Sequence, residues 1–322
     1  MTTSKHIKPR ALARGDLIGL VAPSGSVRDD AQVDRAIAAL QRLGFRVREG
    51  ASCRSRYGYL AGSDEARAAD INAFFADPAM DGIVCMKGGY GTPRILDRLD
   101  YETITANPKV FVGYSDITGI HLALNRRGMV TFHGPMGISD VLLDDDDYST
   151  ASWLAALTST KALGRLANPA TMAAPRTLVP GRATGELTGG NLSLVTALAG
   201  TPYALDARGK ILFLEDIDER PYRVDRMLTQ LRLAGVFEDC AGVILGDWNN
   251  CVPEEGKASL SLKEVFMDVI APSGKPLVMG LQAGHCSPTL SMPFGVQAIL
   301  DADASTPGLD IVEAATSGPS RV

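Results

Sequence analysis

The sequence predicts an α/β fold in two parts, a parallel sheet flanked by helices followed by a second, strand-rich α/β domain. Three observations lead there. From Asp16 to about Pro135, short apolar runs alternate with stretches whose apolar residues recur at helical spacing. Glycine-rich turns follow those runs at Pro23-Ser24-Gly25 and at Gly88-Gly89-Tyr90-Gly91, along what would be the carboxyl edge of the sheet, where open α/β sheets bind ligands. Past Arg182 the texture becomes richer in strand-like runs.

In order, Leu17 to Ala22 reads as a strand, Asp29 to Leu43 as a helix, Phe45 to Arg48 as a strand and Asp64 to Phe75 as a helix. Gly82 to Met86 is the next strand, and Lys109 to Tyr114 another that turns abruptly into the helix Asp116 to Leu124. This alternation defines a Rossmann-like N-terminal domain, assigned to residues 1–167. The acidic run Asp144 to Asp147 precedes a helix-like stretch around Trp153 to Leu157, and the Pro- and Gly-punctuated passage 168–182 reads as a linker. In the second domain, residues 183–313, Ile211 to Leu214, Gly242 to Leu245 and Leu277 to Met279 read as strands. Tyr222 to Leu233 and Leu262 to Val269 read as helices, and Val296 to Ala302 with Leu309 to Glu313 as a hairpin. Residues 314–322 have the composition of a frayed tail.

Composition removes several function classes. A chain of 322 residues with 45% hydrophobic and 21% charged residues has enough apolar side chains for two cores. Its formal net charge of −5 supplies no basic face for nucleic acid. No window approaches the roughly 20 apolar residues of a membrane span, and the basic start Met1 to Arg14 has no signal-like apolar core behind it, so a cytoplasmic protein is expected. Five cysteines without a Cys-x-x-Cys pair and four scattered histidines lead to the expectation of reduced thiols and no metal. The loop Lys87 to Gly91 lacks the spacing of nucleotide-binding glycine loops, so no nucleotide cofactor is expected either.

Ser115 stands at the corner between strand and helix, where its hydroxyl would project from the sheet and the backbone N–H of Asp116 would be free to serve an oxyanion. The pattern departs from Gly-x-Ser-x-Gly because Ile117 replaces the second glycine, and a serine capping its helix is the alternative. The loop at Gly89 can cradle an anion, bring a second main-chain N–H to the same place, or be a plain tight turn. Glu215 abuts the buried strand Ile211 to Leu214, whereas Asp218 and Glu219 suit the first turn of the following helix. A serine needs a base, and both His133 and His285 lie in glycine-containing loops. His121, on an apolar helix face, reads as structural.

Seven segments, in order, together resemble one family. They are Gly15 to Ser24, Gly88-Gly89-Tyr90-Gly91, Gly113-Tyr114-Ser115-Asp116, Thr131-Phe132-His133-Gly134-Pro135, Gly189-Gly190-Asn191-Leu192, Leu214-Glu215-Asp216 and Gly284-His285. From about Gly15 to Ala302 the chain resembles the LD-carboxypeptidase family of serine peptidases, which cut a terminal D-amino acid from an L-centre in recycled cell-wall peptides. That family also includes the microcin C self-immunity peptidases.

The resemblance implies Ser115 as nucleophile, His285 as general base and Glu215 as the acid that orients it. It also implies an oxyanion hole made by the N–H groups of Asp116 and Gly89, a site in the cleft between the domains, no cofactor and a homodimer. The implied substrate is a murein tetrapeptide that releases D-alanine; the alternatives are a peptidyl-adenylate analogue, as in the immunity branch, or a non-catalytic small-peptide binder. The absence of Trp, Tyr and Phe from Asn168 to Gly189 favours the murein peptide. An exopeptidase also needs a partner for the terminal carboxylate, for which Lys87, Arg94 and Arg223 are candidates.

Overall fold

The computed structural model describes residues 6–139 and 147–318. Of the expected acidic run, Asp144 to Asp146 lie outside the described residues, and Asp147 opens the helix Asp147–Thr158.

The first sheet is built from β1 (Leu17–Val21), β2 (Arg46–Glu49), β3 (Gly82–Cys85), β4 (Val110–Gly113) and β5 (Thr131–His133). These five run parallel in the order β5-β4-β3-β1-β2. Every residue of β1, β3 and β4 is buried, as expected of strands covered by helices on both faces. Two of the covering helices are α1 (Asp30–Arg42) and α2 (Asp64–Ala76), whose first turns are capped by Asp29 and Ser63 accepting from Gln32 N and Ala66 N.

Among the described residues the second sheet has eight strands, numbered on from the first: β6 (Gly164–Leu166), β7 (Arg176–Val179), β8 (Arg182–Asn191), β9 (Ile211–Ile217), β10 (Gly242–Asn249), β11 (Leu277–Met279), β13 (Gln297–Asp301) and β14 (Gly308–Ile311). Its order is β6-β14-β13-β8-β9-β10-β11-β7, with β8 to β11 parallel and the outer strands antiparallel. The expected hairpin is β13 with β14. One strand changes sheets: β12 (Met292–Phe294), late in sequence, pairs antiparallel with β5 and closes the first sheet.

Three expectations need correction. The passage taken as a linker contains β7, because the four residues between Pro175 and Pro180 find an edge to pair with on β11. Asp218 and Glu219 precede the next helix, Pro221–Leu233, whose N-cap is Arg220; Asp218 takes a φ of 60° and accepts from Asn250 Nδ2. The tail is held as far as it is described. Ala315 and Thr316 are buried, Ser317 N donates to Pro9 O and Ala11 N donates to Ser317 O.

Candidate active site

Loops from the carboxyl edges of both sheets line one cavity of about 390 Å³, among them Lys87, Gly88, Gly89, Tyr114, Ser115 and His285. Ser115 comes from the turn after β4. Its φ is 64°, a left-handed conformation that costs a non-glycine residue roughly 1–2 kcal/mol. The turn is tight enough that a Cβ on Gly113 would lie 2.9 Å from Ile117. Ser115 to Ile117 form a single 3₁₀ turn that leads into α3 (Thr118–Asn125), and neither that turn nor α3 carries a side-chain cap. Ser115 is therefore not spent as a helix cap.

The glycine loop after β3 approaches the serine as closely as backbone can. A Cβ on Gly88 would meet Ser115 Cβ at 2.8 Å and Oγ at 2.9 Å, and would stand 3.3 Å from the backbone nitrogen of Asp116. Gly89, at a φ of 108°, lines the same cavity. The Asp116 side chain points the other way and ties three loops together. It accepts from Ser24 Oγ (2.6 Å) and Thr92 N (2.8 Å), while Thr92 Oγ1 donates to the Asp116 carbonyl. Burial raises the Asp116 carboxyl above its ordinary pKa against the pull of these bonds.

Glu215 lies in β9, fully buried, and accepts from His285 Nδ1 at 2.6 Å through Oε2. With Nδ1 so engaged, Nε2 is the nitrogen left for a substrate or nucleophile. Burial lowers the His285 pKa, but the Glu215 bond and the charges of Glu215, Asp216 and Asp247 outweigh it, so the net shift is upward. The neighbouring Asp216 serves the fold: it accepts from Asn191 Nδ2 (2.8 Å), Ser193 N (3.0 Å) and Ser193 Oγ (2.8 Å).

The segment Gly189-Gly190-Asn191 joins the two halves of the site. A Cβ on Gly190 would lie 2.5 Å from Thr118 Oγ1, the atom that accepts from Asn191 N at 3.0 Å. This contact seats α3, which follows Ser115, against β8, the neighbour of the strand that carries Glu215.

The two histidines left open by sequence part company here. His133 is fully buried among Tyr114, Phe213 and Phe294, its ring nitrogens meet no hydrogen-bond partner among the described residues, and burial holds its pKa well below 6.5. His121 bonds Gly113 O at 2.8 Å, and burial brings its pKa down to about 4. Of the three cation candidates only Lys87 lines the cavity; Arg94 is bonded to Asp64, and Arg223 is half-exposed beside Glu219 and Tyr222. Cys286 also lines the cavity, but burial pushes its thiol up to about 12, which rules out a thiolate at neutral pH.

Sequence reasoning missed Asp247. It lies in β10 beside β9, its carboxyl is pushed up to about 6 by burial and then by the Glu215 charge, and it acts electrostatically on His285. The signal was present, since Asp247 follows a buried apolar run just as Glu215 does. Among the described residues no cluster of three or more His, Cys, Asp or Glu side chains is placed to hold a metal ion, and no helix is long and apolar enough to cross a membrane.

Residues 18–134 match the LD-carboxypeptidase N-terminal domain and residues 184–300 the LD-carboxypeptidase C-terminal domain. A probable murein peptide carboxypeptidase of Bacillus subtilis is 42% identical, the match covering 98% of this chain and 97% of that one. The crystal structure of a muramoyltetrapeptide carboxypeptidase from Oxalobacter formigenes superposes with a TM-score of 0.79 at 31% identity, covering 94% of this chain and 100% of the other. The microcin C7 self-immunity protein MccF of Escherichia coli is 27% identical over 94% of this chain and 95% of its own. A structure of MccF in complex with glutamyl sulfamoyl guanosine gives a TM-score of 0.86 at 26% identity, covering 97% and 100%. With both domains matched in order and, over 98% of its length, 42% identity to a probable carboxypeptidase, the chain belongs to the LD-carboxypeptidase family.

Proposed function

We propose that the protein is a serine LD-carboxypeptidase that releases terminal D-alanine from murein tetrapeptides, acting in the cytoplasm as a homodimer. The observation that carries the proposal is that Ser115, held in a left-handed turn, and His285, held by Glu215, line the same cavity. In this scheme Ser115 Oγ attacks the carbonyl of the L-centre while His285 Nε2 takes its proton. The N–H groups of Asp116 and Gly89 receive the oxyanion, and Glu215 stabilises the imidazolium. The imidazolium then protonates the departing D-alanine amine. Water, activated by the same histidine, releases the acyl group and restores the serine. The acyl group thus passes from the D-alanine nitrogen to Ser115 and then to water, His285 carries the protons, and no cofactor is needed.

Cleavage of peptidyl-adenylate analogues is the second reading, supported by the close superposition on MccF. The higher identity to the murein peptide carboxypeptidase and the lack of an aromatic residue between Asn168 and Gly189 favour the murein peptide. The test presents both substrates to the wild-type protein: a tetrapeptide ending in diaminopimelyl-D-alanine and a glutamyl sulfamoyl adenosine. The proposal expects D-alanine release to exceed cleavage of the adenylate analogue by at least tenfold in kcat/KM. The reverse order would favour the immunity-type activity, and no turnover of either would favour a binding protein.

A further inference from the structure

Among the described residues Lys87 has no counter-ion, and it lines the cavity in which a carboxypeptidase must meet a negative charge. Among the described residues that line the cavity, Lys87 is the single Lys or Arg, and no Asp or Glu lines it. Its Nζ donates to the Ser26 carbonyl at 3.2 Å, and no carboxylate among the described residues pairs with it. The ammonium stem lies across two glycines: Cε is 3.5 Å from the position a Cβ would take on Gly25 and 4.0 Å from that on Gly89. Burial and the nearby Arg28 guanidinium both lower its pKa, so the charge is maintained at a cost that an incoming anion would relieve.

The position fits the substrate. In a peptide the terminal carboxylate carbon is two bonds from the scissile nitrogen, so its partner must stand beside the nucleophile. Lys87 directly precedes Gly88, whose α-carbon faces Ser115 Oγ. The competing cations are committed elsewhere: Arg94 makes a two-pronged bond to Asp64, and Arg223 sits outside the cavity.

We propose that Lys87 binds the terminal carboxylate of the substrate and is the residue that makes the site an exopeptidase site. This assignment rests on the peptidase activity proposed above. One Nζ hydrogen stays with Ser26 O while the remaining two are donated to the carboxylate.

The test measures kcat/KM for the tetrapeptide with a free C-terminal acid and for the same peptide as its C-terminal amide, using wild type, Lys87→Met and Lys87→Arg. Wild type is expected to prefer the acid by roughly 10- to 100-fold, the worth of a charge-assisted contact. Lys87→Met should lose that factor on the acid, keep its rate on the amide and so bring the ratio close to one. Lys87→Arg should retain a preference for the acid. Each variant's thermal melt reports folding, and Lys87→Gln replaces Lys87→Met if the latter does not fold. An unchanged acid-to-amide ratio in the neutral variant, or equal losses on both substrates, would overturn the assignment. In those outcomes wild-type release of D-alanine from the acid would still stand, so the failure of Lys87 is distinguishable from a failure of the peptidase reading, in which the wild type itself is inactive on the acid.

Discussion

A Cβ on Gly284 would lie 2.7 Å from Glu215 Oε2, the oxygen that accepts from the His285 ring at 2.6 Å. The residue before the histidine is thus required to be glycine twice over, by its φ of 113° and by the carboxylate packed against it. Gly284→Ala is expected to displace Glu215 or rotate the imidazole, lowering kcat/KM by roughly 100-fold and stability by about 1–3 kcal/mol. Steady-state kinetics beside urea unfolding checks this; wild-type activity in the variant would show that the contact is not needed.

The strain at Ser115 predicts a difference between two inactive variants. Ser115→Ala removes the hydroxyl and keeps the left-handed φ of 64° on a residue with a Cβ, whereas Ser115→Gly also releases that strain. After the entropy that glycine adds to the unfolded chain, Ser115→Gly should be the more stable of the two by about 0.5–1 kcal/mol. Equal stabilities in urea would mean that the turn is relaxed.

Activity should be lost on acidification through the raised pKa of His285, because the base acts only when neutral. Ionised Asp247 favours the imidazolium, so Asp247→Asn should move the acidic limb of the kcat/KM profile to lower pH. The stability contributed by the same histidine runs the opposite way: a raised folded pKa stabilises below the unfolded value and is lost as pH rises through the folded one. A limb that stays in place or moves up in Asp247→Asn would contradict the electrostatic role.

His121 and His133 make the fold acid-sensitive. Both have folded pKa values below 6.5, so the unfolded chain binds more protons and stability falls as pH drops below 6.5. For His121, whose pKa is about 4, the loss reaches about 3 kcal/mol by pH 4. His133→Phe, in a pocket already lined by Phe213 and Phe294, removes two ring nitrogens that meet no partner among the described residues. It should raise stability at pH 7 by about 1 kcal/mol and flatten the acid slope. Denaturant melts at several pH values would show a slope unchanged from wild type if His133 does not carry this effect.

What could be read from sequence was local, and what could not was made by pairing across the chain. The strand from Val110 and the helix after Ser115 announce themselves by apolar runs and spacing, so the corner that holds the serine was visible before any coordinates. His133 was ambiguous because a His-Gly-Pro run resembles an exposed loop. In the fold it ends β5 opposite Met292, a strand partner about half the chain away that no local pattern announces. Strand β7 and the pairing of Ser317 with the segment near Pro9 were missed for the same reason, and Asp247 was passed over although it ends an apolar run as Glu215 does.

The central claim is that Ser115, His285 and Glu215 act as one unit on an L,D-peptide bond. Release of D-alanine from the free tetrapeptide by wild type, Ser115→Ala, His285→Ala and Glu215→Gln tests it most directly, with thermal melts to confirm folding. The account predicts losses of roughly 10⁴-fold or more in kcat for the serine and histidine variants and a smaller but large loss for the glutamate variant, all on folded proteins. A folded Ser115→Ala protein that releases D-alanine at the wild-type rate would contradict it.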